Sequence, residues 1–142
     1  MTKRLKKRKS FEEILLSVSD VLFPAELGKK HVEIDSKDVD GDTPLHVLIW
    51  RNDVYGAQLL IKAGADVNAI GDMGETPLHV AISKENEPII VALLEAGADT
   101  NIRSEFGETA IEKASKKGES IKKLFRQKPP KALHRTQFDS RR

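Results

Sequence analysis

The chain repeats itself every 33 residues, and no other feature constrains its fold as tightly. Gly41, Gly74 and Gly107 keep that spacing, and so do Thr43, Thr76 and Thr109. Around them run Gly41-Asp42-Thr43-Pro44-Leu45-His46, Gly74-Glu75-Thr76-Pro77-Leu78-His79 and Gly107-Glu108-Thr109-Ala110-Ile111-Glu112. A second block recurs in phase, as Gly64-Ala65-Asp66-Val67-Asn68 and Gly97-Ala98-Asp99-Thr100-Asn101. Units of this size cannot bury an apolar face alone, so the pattern specifies a stack of similar units.

Each unit reads as two short helices. Thr43 and Thr76 are N-cap residue types, and the prolines after them suit a first turn, where no backbone donor is wasted. Leu45, Leu48 and Ile49, then Leu78, Ala81 and Ile82, form the apolar stripe of an inner helix. Leu59, Leu60 and Ala63, then Ile90, Leu93, Leu94 and Ala96, belong to an outer helix that Gly64 or Gly97 ends as a left-handed C-cap. The Asp/Asn/Gly-rich stretch before the next Thr is a turn. One period before Thr43 stands Ser10, which with Glu13 suggests a capping box ahead of Phe11, Ile14, Leu15, Val18 and Leu22 at helical spacing. Pro24 to Gly28 is expected to form a second short helix containing Leu27. The last unit keeps Gly107, Thr109, Ala114 and Gly118 but lacks the Pro and His, and its outer helix, with Ile121, Leu124 and Phe125, is one residue short.

These motifs resemble the ankyrin-repeat family, whose pattern D-x-x-G-x-T-P-L-H-x-A-A followed by G-A-D-x-N runs nearly complete through residues 38–68 and 71–101. The resemblance implies an all-α solenoid of stacked helix-turn-helix units with hairpin-like turns. It divides residues 10–126 into a divergent N-terminal cap (10–37), full repeats (38–70 and 71–103) and a C-terminal cap repeat (104–126). Residues 1–9 and 127–142 are left as basic, disordered ends. It also assigns Thr43, His46, Thr76 and His79 a structural role, each imidazole bonding the preceding Thr and nearby backbone.

The net charge of +2 conceals an asymmetry. Residues 3–9 hold six basic groups and no acid, residues 126–142 carry a net +5, and residues 10–125 are left with −9. The chain is an acidic body with basic ends. Such a body attracts a basic partner and repels nucleic acid, which is expected to bind only through the ends, if at all. Residues 3–9 also fit a nuclear-import signal, a lipid-surface patch or a plain solvated arm. No stretch approaches the ~18 apolar residues of a membrane span, and the N-terminus lacks an apolar signal core. With no cysteine present, a cytoplasmic location is expected, or a nuclear one in a eukaryote.

Catalytic chemistry finds no foothold. No Walker loop, dinucleotide fingerprint or nucleophile elbow occurs. Asp38-Val39-Asp40-Gly41-Asp42 lacks the ligand ladder and terminal Glu of a calcium loop. No pair of ligands sits at helical spacing for a metal, and no cofactor is implied.

In the family the hairpin tips and inner-helix face form a concave binding surface. Carried over, that surface contains Asp40, Asp42, Asp72, Met73, Glu75, Glu105, Phe106 and Glu108 at the tips, with Val39 beside them. Trp50, Arg51 and Lys84 come from the inner helices. Large apolar groups beside fixed charges have the composition of interface anchors. The expectation is therefore a non-catalytic protein-binding module, monomeric when free. Size and charge suggest a stoichiometric inhibitor or immunity protein against a basic partner such as a nuclease toxin, with a nuclear or signalling adaptor as the alternative. Because the tip acids and apolar anchors lie outside the stacked core, replacing them is expected to leave stability unchanged.

Overall fold

The computed structural model describes residues 9–26 and 31–126, and the side chain of Glu26 is excluded. Nearly all of the two basic ends, and the Leu27–Gly28 part of the expected second helix, lie outside the described residues. The first unit contributes α1 (Phe11–Leu16), α2 (Ser19–Leu22) and a 3-10 turn (Pro24–Glu26). Next come α3 (Pro44–Trp50) with α4 (Val54–Lys62), and α5 (Pro77–Ser83) with α6 (Glu87–Glu95). The last unit has α7 (Ala110–Lys117), α8 (Glu119–Lys122) and a 3-10 turn (Lys123–Phe125). No strand occurs among the described residues. The fold is the all-α repeat architecture that the 33-residue period requires.

Capping chemistry starts each inner helix. Ser10, Thr43, Thr76 and Thr109 all sit in extended backbone, and each side chain accepts the N–H three residues on. Pro44 and Pro77 fill the first turn. Asp53 and Asn86 cap the outer helices in the same way, on Gly56 and Ile89.

Stacking sets the core. α3 packs on α5 and α5 on α7, while α4 packs on α6. Sandwiched between neighbours, α3 is buried from Pro44 to Ile49 and α5 from Pro77 to Ile82, far more than one stripe. Outer helices bury less: Leu60, Ile90 and Leu93 are inside, Leu59 and Leu94 are half-buried, and Ala63 and Ala96 are exposed as C-caps. Ala57 and Ile89, which the apolar spacing passes over, are fully buried.

The first unit departs from the single helix expected through Leu22. The Ser17 hydroxyl donates to the Ile14 carbonyl at 2.6 Å, and the helix breaks there before restarting as α2. In the last unit the link between α7 and α8 is a single residue, Gly118, in phase with Asn52 and Glu85. All three have left-handed φ, at 118°, 58° and 52°. Glu119, in phase with the caps Asp53 and Asn86, makes no capping bond, and α8 stops after four residues.

Leu78 is fully buried in α5, between α3 and α7. Leu78→Ala should cost ~2–5 kcal/mol in chemical denaturation, and a loss under ~1 kcal/mol would place Leu78 outside the stacked core.

Candidate partner-binding ridge

Between successive units the chain makes a hairpin, closed by backbone bonds. The N–H groups of Asp38, Gly71 and Ser104 donate to the carbonyls of Asp42, Glu75 and Glu108 at 2.9–3.0 Å. At each tip two adjacent residues project: Val39-Asp40, Asp72-Met73 and Glu105-Phe106. All six are exposed, with Val39 at 100%, Phe106 at 66% and Met73 at 49%. Every tip thus offers one apolar and one acidic side chain.

Neighbouring hairpins are tied into a ridge. The Asp42 carboxylate accepts the Asp72 N–H at 3.0 Å, and the Met73 carbonyl accepts the Glu105 N–H at 2.9 Å. Close approach explains two glycines. A Cβ on Gly41 would lie 2.6 Å from the Ile70 carbonyl oxygen, and one on Gly74 would lie 2.9 Å from the Glu105 nitrogen. Met73 is itself left-handed, at φ 60° and ψ 19°, a conformation that costs a side-chain-bearing residue ~1–2 kcal/mol. In that conformation its carbonyl bonds the third hairpin, and turn bonds from Gly74 to Gly71 and from Glu75 to Asp72 span it.

Behind the ridge, two imidazoles join the units. The Thr43 N–H donates to His46 Nδ1 at 3.1 Å, so that nitrogen is unprotonated and the proton sits on Nε2. From there it is donated to the Glu75 carbonyl of the next hairpin at 3.0 Å. Thr76, His79 and the Glu108 carbonyl repeat the arrangement at 3.2 and 2.9 Å. Both imidazoles are fully buried.

A family model for ankyrin repeats in three copies matches residues 20–104. The chain belongs to the ankyrin-repeat family. None of the curated proteins compared with it matches. Ankyrin repeats are protein–protein interaction modules, so the exposed surface of this ankyrin solenoid is where function is to be sought. Among the described residues no helix is long and apolar enough to cross a membrane, and no group of three or more His, Cys, Asp or Glu is arranged to hold a metal ion. The Asp38 carboxylate accepts the N–H groups of Asp40 and Asp42 and so serves the hairpin.

The structure divides the sequence-expected site residues into two groups. Asp40, Asp72, Met73, Glu105 and Phe106 stand exposed on the ridge. Asp42, Glu75 and Glu108 are engaged within the protein. Glu75 accepts from Lys113 Nζ of α7 at 2.6 Å, with the two side chains only 13% and 15% exposed. Glu108 pairs with Lys116, and that bond chiefly holds its carboxyl below the usual range. Arg51 donates to the Ser17 carbonyl at 3.0 Å and lies 3.8 Å from Asp20, which fastens α3 to the first unit. The expectation that all tip acids can be removed without loss of stability is therefore corrected: three of them are part of the scaffold. Trp50 is 51% exposed, with the Lys84 ammonium 5.1 Å from its ring centroid. Both belong to the C-terminal ends of inner helices, about 10 Å along the helix from the tips.

Sequence reasoning passed over a side-chain ladder between units. Asp35 and Asn68 accept the N–H groups of Asp66 and Asp99 at 3.1 and 2.8 Å, and Asn86 Nδ2 donates to Asn52 at 3.1 Å. The signal was present, since Asp35, Asn68 and Asn101 are in phase.

Two outcomes follow. Glu75→Ala should lower unfolding free energy by ~1–3 kcal/mol, because it leaves a mostly buried ammonium without its partner. A double-mutant cycle with Lys113→Ala should return a favourable coupling, and zero coupling would exclude the pair as a tie. Burial lowers the His46 pKa, and this outweighs its bond to the Glu75 carbonyl and the nearby Asp42 and Asp38 charges. A depressed folded-state pKa means that its contribution is complete above the unfolded value of about 6.5 and fades as pH falls below it. Stability measured from pH 7 to 5 should therefore fall, and fall less steeply in His46→Gln; parallel profiles would exclude the buried neutral imidazole.

Proposed function

We propose that this ankyrin protein acts by stoichiometric binding, without catalysis, and that it grips a basic protein along the ridge of hairpin tips. The carrying observation is the pairing, on three successive tips, of an exposed acid with an exposed apolar side chain. Apolar anchors supply contact area, and the acids supply steering and register. Like charges crowd at one end of this ridge. Partial desolvation first, then the charges of Asp72, Asp38 and Asp42, raise the Asp40 carboxyl above its ordinary value. A Lys or Arg from a partner would relieve that repulsion, so the ridge favours a basic occupant.

The strained backbone of Met73 supports the same reading. Glycine would suit its left-handed conformation better, yet a large flexible apolar side chain is held there in solvent. The narrower role, an inhibitor or immunity protein against a basic partner such as a nuclease toxin, is supported by the charge of −9 on residues 10–125.

The test is kinetic, on a partner captured from the source cell and purified. Neutralising the exposed tip acids together (Asp40→Asn, Asp72→Asn, Glu105→Gln) should mainly slow association, most at low salt. Phe106→Ala should mainly speed dissociation, with ~2 kcal/mol or more lost if it is a hot spot. Met73→Gly should also weaken binding while leaving the melting temperature unchanged or raised, whereas Met73→Ile should cost ~1 kcal/mol of stability and lower that temperature. Normal binding by all of these variants would remove the ridge from consideration.

A further inference from the structure

Cations recur at the C-terminal ends of the inner helices, opposite the hairpin acids that precede their N-terminal ends. Arg51, Lys84 and Lys117 stand 33 residues apart. Arg51 and Lys84 cap α3 and α5, and Lys117 is the last residue of α7. Because α3 packs on α5 and α5 on α7, these ends form a row across the stack. Packed helix axes lie about 8–10 Å apart, so the row carries a cation at roughly that interval. Its internal pairings are loose. Arg51 lies 3.8 Å from Asp20 and Lys117 lies 3.8 Å from Glu85, both beyond hydrogen-bond reach. Lys84 pairs with no carboxylate among the described residues, and its ammonium stands 5.1 Å from the ring centroid of Trp50. Trp50 is 51% exposed, and its indole N–H makes no hydrogen bond to another described residue. The helix dipole favours a cation at a C-terminal end, which accounts for the lysine but not for the exposed ring beside it.

We propose that Trp50 and Lys84 form a docking site for an acidic peptide segment, with a carboxylate on the Lys84 ammonium and a neighbouring apolar side chain on the Trp50 ring. The ammonium and the indole N–H both donate and neither accepts, so their complement is a ligand rich in acceptors. The exposed ring adds apolar contact that a simple anion would leave unused. Arg51 and Lys117 extend the site on either side. In a polyproline-II segment, residues three apart share one side and lie about 9 Å from each other. That spacing matches one cation per unit, so the segment carries an acid at every third position.

A nucleic acid is the weaker occupant. Every nucleotide carries a phosphate, and the acids of the hairpin ridge stand only about 10 Å along the inner helices. That is within the Debye length of ~10 Å at 0.1 M salt, so a phosphate chain meets their repulsion. A peptide places negative charge only where its acidic side chains stand. The site uses the opposite ends of the inner helices from the ridge and does not rest on the ridge holding a basic partner.

Trp50 is the chain's one tryptophan, so its indole N–H resonance reports on this site within the full chain. The probes are a peptide with Glu at every third position and Leu between, the same peptide with Gln for Glu, and single-stranded oligothymidylate. The Glu peptide should shift the Trp50 resonance, with a dissociation constant that rises with salt, and the Gln peptide should not. Lys84→Gln should weaken the binding read at Trp50 about fivefold, and Lys84→Arg should retain it. Asp72→Asn with Glu105→Gln, which disables the ridge, should leave the shift in place. A Trp50 resonance that stays still, as it would if the peptide met only the basic ends of the chain, would overturn the proposal. So would an equal response to the Gln peptide, an unchanged affinity in Lys84→Gln, or a response to oligothymidylate as strong as that to the Glu peptide. A Lys/Leu peptide that fails to shift the Met73 and Phe106 amides would count against the ridge alone.

Discussion

A neutral imidazole that accepts from its own unit and donates to the next one is the contact on which the stack depends. Each histidine ring nitrogen has one partner that can only donate or only accept: Thr43 N–H on one side of His46, the Glu75 carbonyl on the other. That fixes both the tautomer and the distance between units. Charged side chains could not do so. A carboxylate cannot donate to a carbonyl, and a lysine cannot accept from an N–H. Full burial raises the stakes, because an unmet polar atom there carries its whole desolvation cost.

The ends of the stack show the same logic in reverse. Ser10 and Thr109 keep the cap, yet three residues on each is followed by Glu, which accepts the cap's N–H at 2.8 and 3.1 Å and closes its own box, Glu112 also accepting from Arg103 at 3.0 Å. Beyond Glu112 no further hairpin follows among the described residues. Glu13 cannot bond the Asp42 carbonyl, and the first unit is fastened instead by Arg51 on the Ser17 carbonyl. Histidine at this phase reaches the next hairpin, whereas glutamate at the same phase does not.

Holding the units also arranges the surface. Once hairpins sit side by side, their tips form one ridge, where partial desolvation and then the charges of Asp72, Asp38 and Asp42 raise the Asp40 carboxyl. Some acids are then taken into the scaffold, as Glu75 is by Lys113, while Asp72 and Glu105 stay exposed beside Met73 and Phe106. The protein uses one residue type for two purposes, separated only by what lies next to it.

Much of this was legible in the chain itself. The 33-residue period, the capping Thr residues, the left-handed glycines and the in-phase His46 and His79 follow from local rules that act over a few residues, and those rules read directly from sequence. They determined the all-α stack and the location of its hairpins. What tertiary structure decided is which of several similar side chains is free. Glu75 and Glu105 look alike in sequence; one meets Lys113, 38 residues on, and the other meets solvent. Arg51 looked like a surface cation and became a fastener, and the helix that apolar spacing carried through Leu22 breaks at Ser17. Such outcomes depend on contacts between units. Periodicity specifies that units touch, but only the packed geometry sets which atoms meet.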